Sequence, residues 1–414
     1  MTESPPYGRP SEEIAGSTRS PARRMLAAVL VGVLLGSTLL WANYALVPRP
    51  TTCSTCVLGS IGAGYGPSYM VFDNASGRLY VLDSGPGGFT AWGVTVINGY
   101  TNTVVGFFHT GQRPGDLTYD SRNGDLYITG FCTDTIFVLN ATTGANVTWI
   151  DTASTPLCEG PESIAYDPAN GFIDVLQVIA PQLLLIDGAT NRVLQYVNVG
   201  ATPFPPSPIG TNPNTGQIYV STDEQYPISF NLTTLNGSTG AVELSVALNG
   251  SPQTFTFDPI NQRVYVGVTI QGFGEGNLYN GTLITLDSTA SHTLASTRIG
   301  DLPSAIAVDG ANGNLYITNS YSSNVSVVDG TTNEVTGSIP VNADPWSIVY
   351  DGGTRCLYAL FYEGYVSVIA PPGSECPAPP SSSLPLWESI TGVIVLVAIV
   401  SVVGIGIGYS RRRA

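Results

Sequence analysis

Residues 314–337, NLYITNSYSSNVSVVDGTTNEVTG, alternate apolar and polar side chains along two stretches, broken at Ser322–Ser323 and again at Gly330–Thr331–Thr332. A period of two predicts half-buried strands joined by short turns. One hairpin cannot bury its apolar face alone, so the pattern should recur. It does. Tyr316 lies seven residues after Asp309, which lies six after Pro303. The same spacing joins Pro67, Asp73 and Tyr80, then Pro114, Asp120 and Tyr127, Pro252, Asp258 and Tyr265, and Pro345, Asp351 and Tyr358. Two copies depart from it: Pro206 and Tyr219 flank Asn212, and Pro161 and Asp167 are followed by Asp174 where the others have Tyr. The seven prolines stand 47, 47, 45, 46, 51 and 42 residues apart, the spacing of a repeat array.

Each copy is built alike. An apolar run enters the Asp (SIAYD at 163–167, AIAVD at 305–309), and a Gly follows four residues later in five copies (Gly77, Gly124, Gly171, Gly216, Gly313). A second strand carries the Tyr, a third follows (VTVIN at 94–98), and a fourth ends near the next Pro (VVGFFHTG at 104–111). Four antiparallel strands per ~45 residues make one propeller blade. The chain is therefore expected to be all-β, a seven-bladed β-propeller of four-stranded antiparallel blades. The periodic Asp residues are expected to cap turns rather than to catalyse. VLGSIGAG at 57–64 reads as a fourth strand, and the last copy lacks one after YVSVIA at 365–370, so these two segments should pair and close the ring.

LYITN at 315–319, followed by NVSVVDGTTNEVTGSIPV, resembles the YVTN-type β-propeller repeat, whose family includes surface-layer proteins. The resemblance spans residues 57–370. It implies the seven-bladed scaffold and leaves function open, because such scaffolds carry binding proteins, lactonases and oxidoreductases alike. No tryptophan–aspartate signature supports WD40 repeats.

The ends change the picture. Residues 25–47 carry no charge and span roughly 34 Å as a helix, and residues 390–408 span roughly 28 Å. Arg19, Arg23 and Arg24 precede the first, and Arg411, Arg412 and Arg413 follow the second, which places both termini in the cytoplasm. The expected organisation is a cytoplasmic tail (1–24), a transmembrane helix or signal anchor (25–47), a stem (48–56) and the propeller (57–370). A Pro/Ser-rich stem (371–385), a transmembrane helix (386–409) and an Arg-rich cytoplasmic tail (410–414) complete it. The propeller then faces outward from a cell membrane, and the alternative for 25–47 is a cleaved signal peptide.

The formal charge is −15, all but four of the 30 acidic residues lie between the two stems' outer ends, and the chain has no lysine. Such acidity argues against nucleic-acid partners and keeps an exported domain soluble. Eight sequons, at Asn74, Asn140, Asn146, Asn231, Asn236, Asn249, Asn280 and Asn324, fit a glycosylated surface protein. Six cysteines fit three disulfides. Cys132 and Cys158 are expected to meet at the top face. Cys53, Cys56, Cys356 and Cys376 should gather at the seam, with three pairings open.

Reactive chemistry is sparse. His109 and His292 are the only histidines, too few for a haem, a copper cluster or a hydrolase triad, and no catalytic residue is assigned. The departures from the repeat are more informative. DSGPGGFTAWG at 83–93 and TIQGFGEGNLYNG at 269–281 are long second-to-third loops projecting from the top face. They bring Phe89, Trp92, Phe273 and Tyr279, and Phe131, Tyr321 and Trp346 should share that face, as should Tyr226 and Tyr362. Acids accompany them: Asp83, Asp116, Asp134, Glu159, Glu162, Asp223, Glu224, Glu275, Asp301 and Asp344. Aromatic rings among carboxylates suit a protein or glycan partner. The expectation is a membrane-anchored binding or structural module that needs no cofactor. The alternative is a lactonase-type hydrolase using Ca²⁺ or another divalent cation, whose ligands the sequence does not assign. It requires inward carboxylates converging within ~5 Å at the channel mouth.

Overall fold

The computed structural model describes residues 51–52, 56–64, 66–84, 92–130, 133–152, 160–177, 182–199, 208–225, 228–271, 279–371, 374 and 376–380. These form seven antiparallel sheets arranged as a ring. Blade one runs Pro67–Asp73, Arg78–Asp83, Gly93–Asn98 and Thr103–His109, and each following blade repeats that order outward from the axis. The opening strand of each blade packs on that of the next, and the opening strand of blade seven, Pro345–Tyr350, packs on that of blade one.

The core lies between blades rather than within any one of them. Seven apolar clusters occupy the seven interfaces. Tyr80, Leu82 and Val94 of blade one, for example, meet Leu117, Ile128 and Phe137 of blade two. Second strands are covered on both faces, as in Asp125–Gly130, where all six residues are buried. Outer strands such as Thr103–His109 alternate between half-buried and exposed. Strands buried on both sides favour continuous apolar runs, and rim strands favour alternation.

The turn between first and second strands is the same device seven times. The carboxylate or amide oxygen at the sixth residue after the repeat proline accepts the backbone N–H two residues on: Asp73 from Ala75 (2.9 Å), Asp120 from Arg122 (2.8 Å), Asp167 from Ala169 (2.9 Å), Asn212 from Asn214 (3.0 Å). Asp258, Asp309 and Asp351 do likewise. The fourth residue of the turn is left-handed, which suits Gly. Blades five and seven place Gln262 (φ 53°) and Arg355 (φ 60°) there instead.

The ring closes as the repeat count requires. Val57–Gly62 pairs antiparallel with Tyr365–Ile369, with Val57 opposite Ile369 and Gly62 opposite Tyr365. The chain thus enters and leaves the ring at one edge, the edge that carries the Asp turns. Two details differ from expectation. Thr51–Thr52, placed in the stem by sequence, pairs parallel with Glu334–Pro340 and gives blade six a fifth strand. Among the described residues the opening strand of blade four spans Ile209–Thr211, and Pro208 just before it supplies no N–H to a ladder.

Cys356 and Cys376 form a disulfide at the seam, and Asn102 in blade one donates to the Pro377 carbonyl (2.5 Å), tying the departing chain to the ring. Cys56 is also disulfide-bonded, and its carbonyl accepts the Ala370 N–H. Cys53, Cys132 and Cys158 lie outside the described residues, as do the apolar segments 25–47 and 386–409. No helix among the described residues is long and apolar enough to cross a membrane.

Candidate functional site

Each opening strand starts at the face opposite the seam edge, so the residues just after the repeat proline ring the channel mouth there. They enclose a cavity of about 530 Å³ to which all seven blades contribute. Tyr69 comes from blade one, Asp116 from blade two, Glu162 and Ser163 from blade three, Ile209 from blade four, Gln253 and Phe255 from blade five, Ser304 and Ser320 from blade six, and Trp346 and Ser347 from blade seven. Phe255 also borders a second cavity of about 420 Å³ nearer the Asp turns, walled by Tyr119, Tyr166 and Phe257.

Three titratable groups sit together on one side of the mouth. Asp116 accepts the N–H of Leu117 (2.7 Å) and, across the blade boundary, that of Ile164 (3.2 Å). Burial outweighs these bonds and, with the neighbouring Glu162, pushes its carboxyl up to about 7. Burial also raises Glu162, one of whose carboxylate oxygens has no partner. Tyr69 is raised first by burial and then by these two charges, so its phenol stays neutral. The opposite side is hydroxylic. Ser304 and Ser320 both donate to the Pro345 carbonyl (2.8 and 2.7 Å), which leaves neither paired with a base. The cup can accept hydrogen bonds and positive charge and offers aromatic walls.

Around this mouth the expected aromatics separate. Trp346 lines the cavity and is 47% exposed, with Tyr321 (63%) and Tyr362 (65%) near it on blades six and seven. Tyr279 packs edge-to-face on Tyr321 with ring centroids 5.5 Å apart. Trp92 is half-buried at the start of blade one's third strand. Phe89, Phe131 and Phe273 lie outside the described residues, as do Glu159 and Glu275.

The acids separate too. Asp116 and Glu162 face the cavity, whereas Asp83 is fully buried with one oxygen on Thr95 (2.8 Å). Asp301 pairs with Arg298 and Asp344 accepts from Ser323. Sequence reasoning missed Tyr69, Gln253, Ser304 and Ser347. Their signal is positional, one or two residues past each blade's opening residue, where the strand turns a side chain to the axis.

Among the described residues no three His, Cys, Asp or Glu side chains are placed to hold a metal ion. His109 packs edge-on against Phe107 on the rim, and His292 bonds Asp287 (3.0 Å) in an exposed turn. Three of the sequon asparagines, Asn74, Asn146 and Asn249, are exposed, while Asn140 and Asn236 accept N–H groups of their own turns.

No family model and no curated protein matches the sequence. Among solved structures the chain is similar to one from Kuenenia stuttgartiensis hydrazine synthase, with a TM-score of 0.62, 14% identity, and coverage of 78% of this chain and 99% of that one. At that identity the likeness shows the fold, a seven-bladed propeller.

Proposed function

We propose that this chain is a membrane-anchored, cell-surface propeller of the YVTN type that binds a protein or glycan partner through the face opposite its seam. The observation that carries the reading is the gathering of Tyr321, Trp346 and Tyr362, all exposed, on two adjacent blades at the rim of an acid-lined cavity. Exposed rings beside hydrogen-bond acceptors are the usual material of a binding surface. The seam supports the orientation: both ends of the propeller leave from the Asp-turn edge, and the apolar segments at 25–47 and 386–409 lie beyond those ends in sequence. That edge faces the bilayer and leaves the aromatic face open. Sequons at exposed positions fit the same outward location.

The test has two arms. Protease added outside intact cells should cleave the propeller while epitopes at residues 1–24 and 410–414 stay protected. The full chain, screened against immobilised cell-surface glycans and surface proteins, should bind, and Tyr321→Ala with Trp346→Ala should lose at least tenfold in affinity. Protection of the propeller, or equal binding by the double variant, would overturn the reading.

A further inference from the structure

The tyrosine of the repeat has a defined task. Its hydroxyl crosses to the following blade and donates to the first carbonyl of the turn between that blade's third and fourth strands. Tyr80 reaches Ala141 (2.9 Å), Tyr127 reaches Gly188 (3.0 Å), Tyr219 reaches Ser288 (3.3 Å), Tyr265 reaches Gly330 (2.7 Å) and Tyr358 reaches Gly99 (3.1 Å). Blade six meets the seam, where no such turn exists, and Tyr316 stacks on Tyr350 instead.

Blade three alone lacks the repeat tyrosine, with Asp174 in its place. Asp174 alternates along its strand with Phe172 and Leu176, whose side chains join the cluster shared with blade four. Its side chain is too short to make that hydrogen bond to the matching carbonyl, that of Gly237, and neither of its oxygens is bonded. The blades have not closed over the difference. A Cβ built on Gly188 would stand 2.7 Å from Asp120 Oδ2 at the interface of blades two and three, and one built on Gly237 would stand 3.0 Å from Asp167 Oδ2 at the interface of blades three and four. The Gly237 turn therefore stands over blade three as the Gly188 turn stands over blade two, with Asp167 beside it.

Asp174 is fully buried and neither of its carboxylate oxygens has a partner. Asp167 is also fully buried, and its Oδ2 has none. Uncompensated buried carboxylates are costly, and two near each other more so. Among the described residues no side chain supplies the countercharge: the chain has no lysine, and Arg122, the arginine that acts on Asp167, spends its guanidinium on the Pro168 and Ala169 carbonyls.

We propose that the interface between blades three and four holds a structural Ca²⁺ ion, with Asp174, Asp167 Oδ2 and the Gly237 carbonyl as protein ligands and water completing the shell. An all-oxygen set with two carboxylates and a backbone carbonyl suits a hard cation that tolerates irregular geometry. The ion takes over the phenol's task of joining adjacent blades.

The repeat supplies its own control. Asp174→Tyr restores the residue found in six blades and should abolish the site without opening the interface. Thermal unfolding of the full chain, stripped with EDTA and then given CaCl₂, should rise by roughly 3 °C or more for the parent and not at all for Asp174→Tyr. Equal responses from the two, whether both rise or neither does, overturn the proposal. Should Asp174→Tyr fail to fold, Asp174→Asn keeps the volume and removes one charge. Calorimetric titration should then show at least tenfold weaker Ca²⁺ binding than the parent, and unchanged binding overturns it.

Discussion

The hydroxyl of Tyr358 in the last blade donates to the carbonyl of Gly99 in the first, 3.1 Å away and 259 residues distant in sequence. The same hydroxyl meets Asn102 Oδ1 at 2.8 Å, and Tyr358 is fully buried. One side chain thus bolts the end of the array to its beginning. Tyr358→Phe removes the one hydroxyl hydrogen that these two buried acceptors share and should cost roughly 1–3 kcal/mol in urea unfolding. A loss within error would mean that strand pairing alone holds the seam.

Strand closure is the larger effect. Removing residues 57–64 uncovers Tyr365–Ile369 as an unpaired edge and strips Ile61 and Ala63 from the seam cluster. The shortened chain should melt well below the parent and aggregate. An unchanged melting temperature would refute the closure.

Cross-links follow from the same region. With Cys356 bonded to Cys376, non-reducing peptide mapping should recover that pair, a Cys53–Cys56 pair and a Cys132–Cys158 pair. The Cys356–Cys376 bridge closes a 20-residue span, and replacing both cysteines by Ala should cost about 3 kcal/mol. A peptide joining Cys56 to Cys132 or Cys158 would contradict the predicted placement of the last two at the opposite face.

Acidity should stabilise this domain over a window set by two buried carboxyls. Burial pushes Asp83 and Asp116 up from 3.8 to about 7. Between those values the folded chain holds protons that the unfolded chain has released, so stability is greatest below the window and declines as pH rises through it. The midpoint of thermal unfolding should be higher near about pH 5 than near about pH 8, and Asp83→Asn should flatten the decline. A midpoint that climbs over this range would show that other groups dominate.

Tyr321→Ala and Trp346→Ala should leave stability within about 0.5 kcal/mol of the parent, because exposed side chains lose little on truncation. A large drop would show that the rings hold the fold together and are not available to a partner.

The sequence disclosed whatever repeats. The spacing of Pro, Asp and Tyr located the blades, and Asp73 to Asp351 proved to be turn caps because a catalytic residue is not needed seven times. The missing last strand located the seam. What it did not disclose depends on the ring being closed. Asp116 and Glu162 are 46 residues apart, and each looked like one of ten top-face acids. They converge only because neighbouring opening strands bring successive repeats to one axis. Tyr69 and Ser304 resemble ordinary strand residues until that axis exists. Thr51–Thr52 gave no signal, since two polar residues beside prolines read as linker.

Closure also imposes an order in time. Val57–Gly62 leaves the ribosome about 300 residues before its partner Tyr365–Ile369. At ordinary elongation rates the first strand waits roughly 15–60 s for the last. During that interval the nascent array is an open arc with reactive edges at both ends, so any truncated product is stranded in that state. The composition of the waiting strand, VLGSIG, with two glycines and a serine among its six residues, makes it a poor template for β-pairing with strangers. Protection against misassembly is thus written into the segment that must stay single longest.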